Sequence, residues 1–356
     1  MPSMIDVAKL AGVSHQTVSR AINRPETVRP EIRLRIASAI EQLGYRRNLS
    51  ARALVTNQTR NVGLVDSGSS ILGHASLLMA VEAAAREHDY ATTVAVVPHP
   101  TPDSIEAAFS HLRDRGVDGI IVLASTVGLA RTSRQVSASV PVVMVAAGMP
   151  ASEQLSVVGV RQEYGARIAT RHLLEQGYSR IFHLAGPTTW LDAGLRVRGW
   201  RRELAKSGVR GTILGQGDWS ASSGYRTGLE VADRDLPDAV FAANDQMALG
   251  FMHAMHERQV RIPEDIAVVG FDDLAGSEYF HPSLTTVRQP FAEVGHTAVD
   301  VLLRALEGSP PESHAIVPEL VVRDSSIRST RAHESAAASG SRAAVLTSGN
   351  GLELWA

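Results

Sequence analysis

Apolar residues near the start of the chain recur at helical spacing in three short stretches. In Ile5 to Ala11, Ile5, Ala8 and the pair Val7 and Ala11 repeat with that period, Asp6 sits in the first turn where the dipole favours negative charge, and Gly12 breaks the run. A second helix is predicted from Ser14, a good N-cap, with Val18, Ala21 and Ile22 on one face and His15, Gln16, Ser19 and Arg20 on the other. Pro30 marks the first turn of a third, whose stripe is Ile32, Ile36, Ile40 and Leu43 and whose end is Gly44. Three such helices bury one small core, and Ile5 to Asn23 reads as a helix-turn-helix. In that motif the N-terminal residues of the second helix meet base edges, which makes His15, Gln16 and Arg20 candidates for base readout. Gln pairs with adenine and Arg with guanine, each adding about 1 to 3 kcal/mol of discrimination. Ser14, Thr17, Ser19 and Asn23 suit the DNA backbone.

From Val62 the pattern changes. Short apolar runs alternate with helical stretches: VGLV, TTVAVV, GIIVLA, PVVMVA, IFHLAG, AVFAAN and IAVVGF. Runs of that kind predict parallel strands covered by helices on both faces, arranged as two doubly wound parallel sheets with a change of lobe near Val158. Ligands of open α/β sheets bind beyond the carboxyl ends of the strands. The residues that follow the runs therefore matter most: Asp66, Ser125, Ala146, Asn244 with Asp245, and Asp272 with Asp273. Polar side chains converging there suit a polyhydroxylated ligand, whose hydroxyls both donate and accept.

Charge is divided unevenly. Residues 1 to 60 carry a balance of +6 and the remainder −8, so the cationic character expected of a DNA reader is local to the first segment. The chain has 356 residues and 44% apolar content, enough for a small head and a two-lobed body. Zero cysteines exclude disulfides and thiolate chemistry. Neither a basic-then-apolar leader nor an apolar run near the ~18 residues of a membrane span is seen, so a cytoplasmic location without membrane contact is expected. From Arg331 the chain turns to Ala, Ser and Gly, which predicts a flexible tail.

Between head and body, Asn48 to Thr56 (NLSARALVT) has an N-cap and two turns' worth of helix formers, well below the ~12 to 15 residues an isolated helix needs. It folds only when supported. Together GVSHQTVSRAIN, LGYRRN and NLSARAL resemble the LacI/GalR family of transcription regulators, and the resemblance runs nearly to residue 330. It implies that the short stretch is a hinge helix forming on operator DNA, with Asn48, Ala51, Arg52 and Leu54 at the minor groove and Leu54 as the wedge. It also implies a periplasmic-binding-protein-like body whose chain returns to the first lobe near Gln289 and crosses back near Glu319. The expected domains are thus a head at 1–46, a hinge at 47–59, a first lobe from 60–158 and 289–318, a second from 159–288 and 319–330, and a tail at 331–356.

Within the body, LAGP with LRVRGW, GDWSASSGY, ANDQMALG, and VVGFDD with LTTVRQPF carry the resemblance. It makes Arg196, Asn244 and Asp272 the hydroxyl-binding trio, stacks Trp219 on a sugar face, and lines the far side of the cleft with Gln289 and Phe291. Two departures bear on the ligand. Where the pattern has an Asp after the PVVMVA strand the chain has Ala146, and where many members have Asp-Asn it has Arg161 and Gln162. Trp190 adds bulk nearby. The implied function is a homodimeric repressor that releases a palindromic operator when a sugar, with a β-galactoside the leading candidate among mono- and disaccharides, enters the cleft. A corepressor-dependent repressor or an activator shares that architecture, and a solute receptor shares the body. No apolar heptad repeat for a tetramer appears at the C-terminus.

Three weaker signals point elsewhere. Asp272 and Asp273 invite a glycosidase reading, yet neighbours on a strand end face opposite ways, so no enzyme activity is expected. His253 and His256 lack HExxH or Cys partners for a metal, and neither a phosphate loop nor a dinucleotide fingerprint implies a cofactor.

Overall fold

The computed structural model describes residues 2–45, 58–69, 71–135, 139–209 and 211–328. Asn48, Ala51, Arg52 and Leu54, and the tail at 331–356, lie outside the described residues. The chain divides into two compact units, Met1–Thr59 and Arg60–Ala356.

Among its described residues the first unit has three α-helices and a 3-10 turn at Pro25–Thr27. In α1 (Met4–Ala11) the Ser3 hydroxyl accepts from the Asp6 N–H at 3.3 Å while the Asp6 carboxylate accepts from the Ser3 N–H at 2.8 Å, a capping box, and Gly12 ends the helix at φ 62. Ser14 caps α2 (His15–Asn23) by accepting from the Thr17 N–H at 3.2 Å, and α3 (Pro30–Leu43) begins on proline and ends at Gly44. Val7, Ala8, Ala11, Val18, Ile36 and Ala39 form the buried core, with Ile22, Ile32, Ile40 and Leu43 packed on it. One expected core residue is on the other side: Ile5 is 55% exposed, and Met4 takes the inward place instead. Eight residues apolar on most of their circumference do not fix the rotation of a helix.

The second unit contains two six-stranded sheets. The first takes β1 (Asn61–Asp66), α4 (Leu72–Glu87), β2 (Ala91–Val96), α5 (Pro102–Asp114), β3 (Gly119–Leu123), α6 (Val127–Ser133), β4 (Val142–Val145) and β5 (Leu155–Val160). The second takes α7 (Gln162–Glu175), β6 (Ile181–Ala185), α8 (Leu191–Lys206), β7 (Ile213–Gln216), α9 (Ala221–Ala232), β8 (Ala239–Ala242), α10 (Asp245–Glu257), β9 (Ala267–Asp272) and β10 (Thr285–Arg288). The chain then returns as α11 (Phe291–Leu306) and β11 (Ser313–Ile316) to the first sheet, and as β12 (Glu319–Val321) to the second. Strand orders are β11-β5-β4-β3-β1-β2 and β12-β10-β9-β8-β6-β7.

Two expectations change here. Val158 lies inside β5, paired with Val145, and Val160 pairs with Ile316, so the first crossing comes after Val160. The second sheet is not wholly parallel, because β12 runs antiparallel to β10. Its short segment re-enters from the lobe into which β10 leaves, so it must point the opposite way. Three segments thus connect the lobes: after Val160, at Gln289–Pro290, and at Val317–Pro318. Each lobe has two buried apolar clusters, one around Val62, Leu64 and Ile121 and one around Val65, Ile120 and Val122 in the first, and one around Phe241, Val269 and Phe271 and one around Leu184, Val240 and Val268 in the second. No helix among the described residues is long and apolar enough to cross a membrane.

Candidate functional site

In the first unit, His15, Gln16 and Arg20 are all exposed on α2, whereas Val18 is buried. Ser14 is exposed too, but its hydroxyl is shared with the Thr17 hydroxyl at 2.8 Å and with the Thr17 N–H, so the two present their remaining lone pairs and one proton as a unit. Thr17 and Ser19 are half-buried, and the side chain of Asn23 lies outside the described residues. The cap that starts the helix thereby fixes the first turn, where base and phosphate contacts of this motif are made.

In the second unit the carboxyl ends of both sheets face a cavity of about 80 Å³. Arg196, Trp219, Asn244, Asp272, Gln289 and Phe291 all line it, along with Ser125, Ala146 and Trp190. Arg196 sits one turn into α8, buried, with its guanidinium 3.8 Å from the centre of the Phe271 ring. It donates from Nε to Gln162 Oε1 at 3.0 Å, from Nη1 to the Ala243 carbonyl, and from Nη2 to Asp272 Oδ1 at 3.4 Å. Gln289 donates to the same Asp272 oxygen at 2.7 Å and accepts from Gln162 Nε2 at 2.6 Å. The four side chains form a closed ring. Two of them, Gln162 and Gln289, stand on segments where the chain passes between lobes.

Asp272 ends β9 with φ 110, a backbone conformation that is costly for a side chain and that concentrates at ligand sites. Burial pushes its carboxyl up to about 6, against the Arg196 charge and the Gln289 hydrogen bond, with Asp192 adding repulsion. Asp273 turns away and is held by Arg288 Nε at 2.7 Å and Arg323 Nη2 at 2.8 Å, so the adjacent carboxylates do not share a site. Asn244 caps α10, accepting from the Met247 N–H at 2.9 Å and donating to the Trp219 carbonyl at 3.1 Å. That second bond holds Trp219 at φ 73 with its ring 5.5 Å from the Arg196 guanidinium and 5.6 Å from the Trp190 ring. Behind this wall Asp245 accepts from Thr286 Oγ1 at 2.5 Å, Ser277 Oγ at 2.7 Å and the Leu274 N–H at 2.9 Å. Burial and the neighbouring Asp272 still raise it to about 7.

Three lining residues escape the sequence reading as ligand contacts. His74, in the first turn of α4, pairs with the buried Asp66 that ends β1. Burial raises the Asp66 carboxyl, but the His74 hydrogen bond and charge and the Gly68 N–H outweigh it and hold it below the usual range. Asp192, four residues before Arg196 on α8, lies 3.9 Å from its Nη2, and burial raises its carboxyl in spite of Arg196 and His74. Gln162 enters that reading only as a departure from a family pattern. The i, i+4 spacing of Asp192 and Arg196 is a legible signal, whereas nothing in the sequence ties Gln162 to Gln289 across 127 positions. Among the described residues no group of three or more His, Asp and Glu is placed to hold a metal ion. His253 instead lies 3.3 Å from Glu257.

Residues 3–48 match the bacterial regulatory proteins of the lacI family, and residues 170–326 match a periplasmic binding protein-like domain. The lactose operon repressor of Escherichia coli K12 is 31% identical over 329 residues, 90% of this chain and 89% of its own length. Among solved structures, the lac repressor dimer bound to operator and the anti-inducer ONPF superposes with a TM-score of 0.76 at 29% identity, covering 92% of this chain and 99% of that one. A complex of the transcriptional regulator CelR with cellobiose gives 0.66 at 31% identity, covering 91% and 100%.

Proposed function

The chain belongs to the lacI family of bacterial regulatory proteins, and on that footing we propose that it is a homodimeric transcriptional repressor that leaves its operator when a sugar enters the interlobe cavity. His15, Gln16 and Arg20 read bases, Ser14, Thr17, Ser19 and Asn23 fix the backbone register, and Leu54 with Asn48, Ala51 and Arg52 engages the minor groove. Two copies read the half-sites of a palindrome.

One observation carries the sensor half: the ring of Arg196, Gln162, Gln289 and Asp272 closes on itself in a cavity of about 80 Å³. Pockets that enclose small molecules usually start at about 300 Å³. A sugar therefore enters only as the lobes part or the ring opens, and its hydroxyls then replace bonds the four side chains make to one another. Arg196 offers donors, Asp272 acceptors and the two glutamines both, which matches vicinal hydroxyls. Trp219 supplies an apolar face for the sugar ring. Because Gln162 and Gln289 stand on crossing segments, occupancy is read directly by the connections between lobes. The shift in operator affinity is limited to the ligand's differential affinity for the two arrangements. Ala146 brings only a methyl group to the wall, so hydroxyls directed at it find no side-chain acceptor, and the preferred sugar differs there from ligands that need one.

The test is gel retardation of upstream DNA from the chain's own gene neighbourhood, titrated with mono- and disaccharides including β-galactosides. Retardation relieved by one sugar class is expected. Failure to retard any fragment at low salt defeats the operator reading, and tightening in place of relief makes the ligand a corepressor.

A further inference from the structure

A second cavity, of about 360 Å³, opens on the other side of Gln162. Ala146, Gly159, Val160 and Gln162 line both cavities. The floor of the second is apolar, with Met149, Val157 and Leu195, and its rim is cationic: Arg161, Arg167, Arg198 and Arg202 line it against a single carboxylate, Glu163. Arg198 and Arg202 both pair with Glu163, at 2.8 and 3.1 Å. Arg167 pairs with Glu203 at 3.0 Å, a carboxylate that Arg171 and Lys206 also approach, at 2.9 and 3.6 Å. Two carboxylates thus serve five cations, and among the described residues each of the four guanidiniums pairs through one of its five N–H donors. Arg161 is exposed, lies 5.2 Å from the centre of the Tyr164 ring, and forms no ion pair among the described residues. Such crowding is relieved by an anion, and planar guanidinium groups match phosphoryl oxygens pairwise.

We propose that this cavity is a phosphoryl-anion site, sized for inorganic phosphate or for the phosphate ester of a small molecule whose body rests on the Met149 and Leu195 floor. The walls come from both lobes: 146–149 and 313–315 from the first, 161–167 and 195–202 from the second. A bound anion therefore ties them together beside Gln162, a member of the sugar-facing ring. This site is separate from the one assigned to the sugar and is tested without DNA, so its failure leaves the operator reading untouched.

Isothermal titration of the full chain with glucose 6-phosphate, inorganic phosphate and glucose decides it. Saturable binding of one or both anions below about 10 mM is expected, with none for glucose at this site. Arg161→Glu should weaken the anion by about tenfold or more, Arg161→Lys by much less, and Arg226→Glu, a reversal of the same sign elsewhere on the lobe, hardly at all. Arg161 is exposed, so its variants are expected to fold, and circular dichroism checks that they do. Glucose 6-phosphate binding much tighter than phosphate seats an ester on the floor, and equal binding makes the ligand free phosphate. Absence of saturable binding by either anion, or equal losses from Arg161→Glu and Arg226→Glu, overturns the proposal.

Discussion

Replacing Gly186 by alanine tests the role of Trp219 without touching any side chain that would meet the ligand. Gly186 follows β6, and a Cβ built there would lie 2.3, 2.6 and 2.7 Å from three carbons of the Trp219 ring. Ordinary contact begins near 3.4 Å, so the ring must recede by about 1 Å, and it is a packed indole 5% exposed, not the loose end of a flexible chain. The open side is the cavity. In the free protein the ring relaxes into that space, and a sugar must push it back against the new methyl. Overpacking of this kind costs about 1 to 3 kcal/mol, which as a binding penalty weakens the sugar about 5- to 150-fold. The assay is titration of the sugar that releases operator, followed by calorimetry, with operator affinity measured in parallel and expected to hold. Gly194→Ala is the matched control: it lies in the first turns of α8, nothing is within 4 Å of where its methyl would sit, and its effect should be neutral or slightly stabilising. Wild-type sugar affinity in Gly186→Ala would refute the placement of Trp219 against the ligand.

Three further outcomes are expected. Asp272→Asn keeps the shape but removes a charged acceptor, so the sugar concentration for half-release of operator should rise about 10- to 150-fold; an unchanged midpoint would take Asp272 out of the site. Asp245, raised to about 7 from 3.8, binds its proton more tightly folded than unfolded, so its contribution is fully present below pH 3.8 and is lost as pH rises through about 7. Between pH 5.5 and 8 that amounts to about 2 kcal/mol in urea unfolding, a slope that Asp245→Asn should lack; equal slopes in both proteins would show that Asp245 does not titrate there. Leu54→Ala should reduce specific operator binding far more than binding to unrelated DNA, and parallel losses would remove Leu54 from the minor groove.

The strand cores were legible because VGLV, GIIVLA and AVFAAN are short apolar runs alternating with helical stretches, the pattern of a sheet buried on both faces. The short edge strands β7, β11 and β12 were not, since three or four residues with exposed positions carry no period. At the candidate site, residues within the motifs of the body, Arg196, Trp219, Asn244 and Asp272, come together around one cavity with Gln289 and Phe291. What the sequence hid is the bonding among them. The Asn244 side chain is partly committed to the α10 cap and the Trp219 carbonyl, and Gln162 closes a ring whose members come from α7, α8, β9 and the connection before α11. Ile5 failed for the opposite reason: a short helix with apolar residues nearly all round offers several faces to bury, and only the packing against α2 and α3 selects one.

The three crossings between lobes also set a timetable. The face of the first sheet that carries Val62, Leu64, Ile121 and Val143 is covered jointly by Val81, Ala84 and Ala85 of α4 and by Val294, Ala298, Val299 and Leu302 of α11. A ribosome reaches α11 only after every strand of the second lobe but β12 has been made. Through that interval the first lobe emerges with that face covered by α4 alone and β5 without its β11 neighbour. The lobe begun first thus waits for most of its neighbour before it can close, and until then its half-covered apolar face is open to non-native contacts.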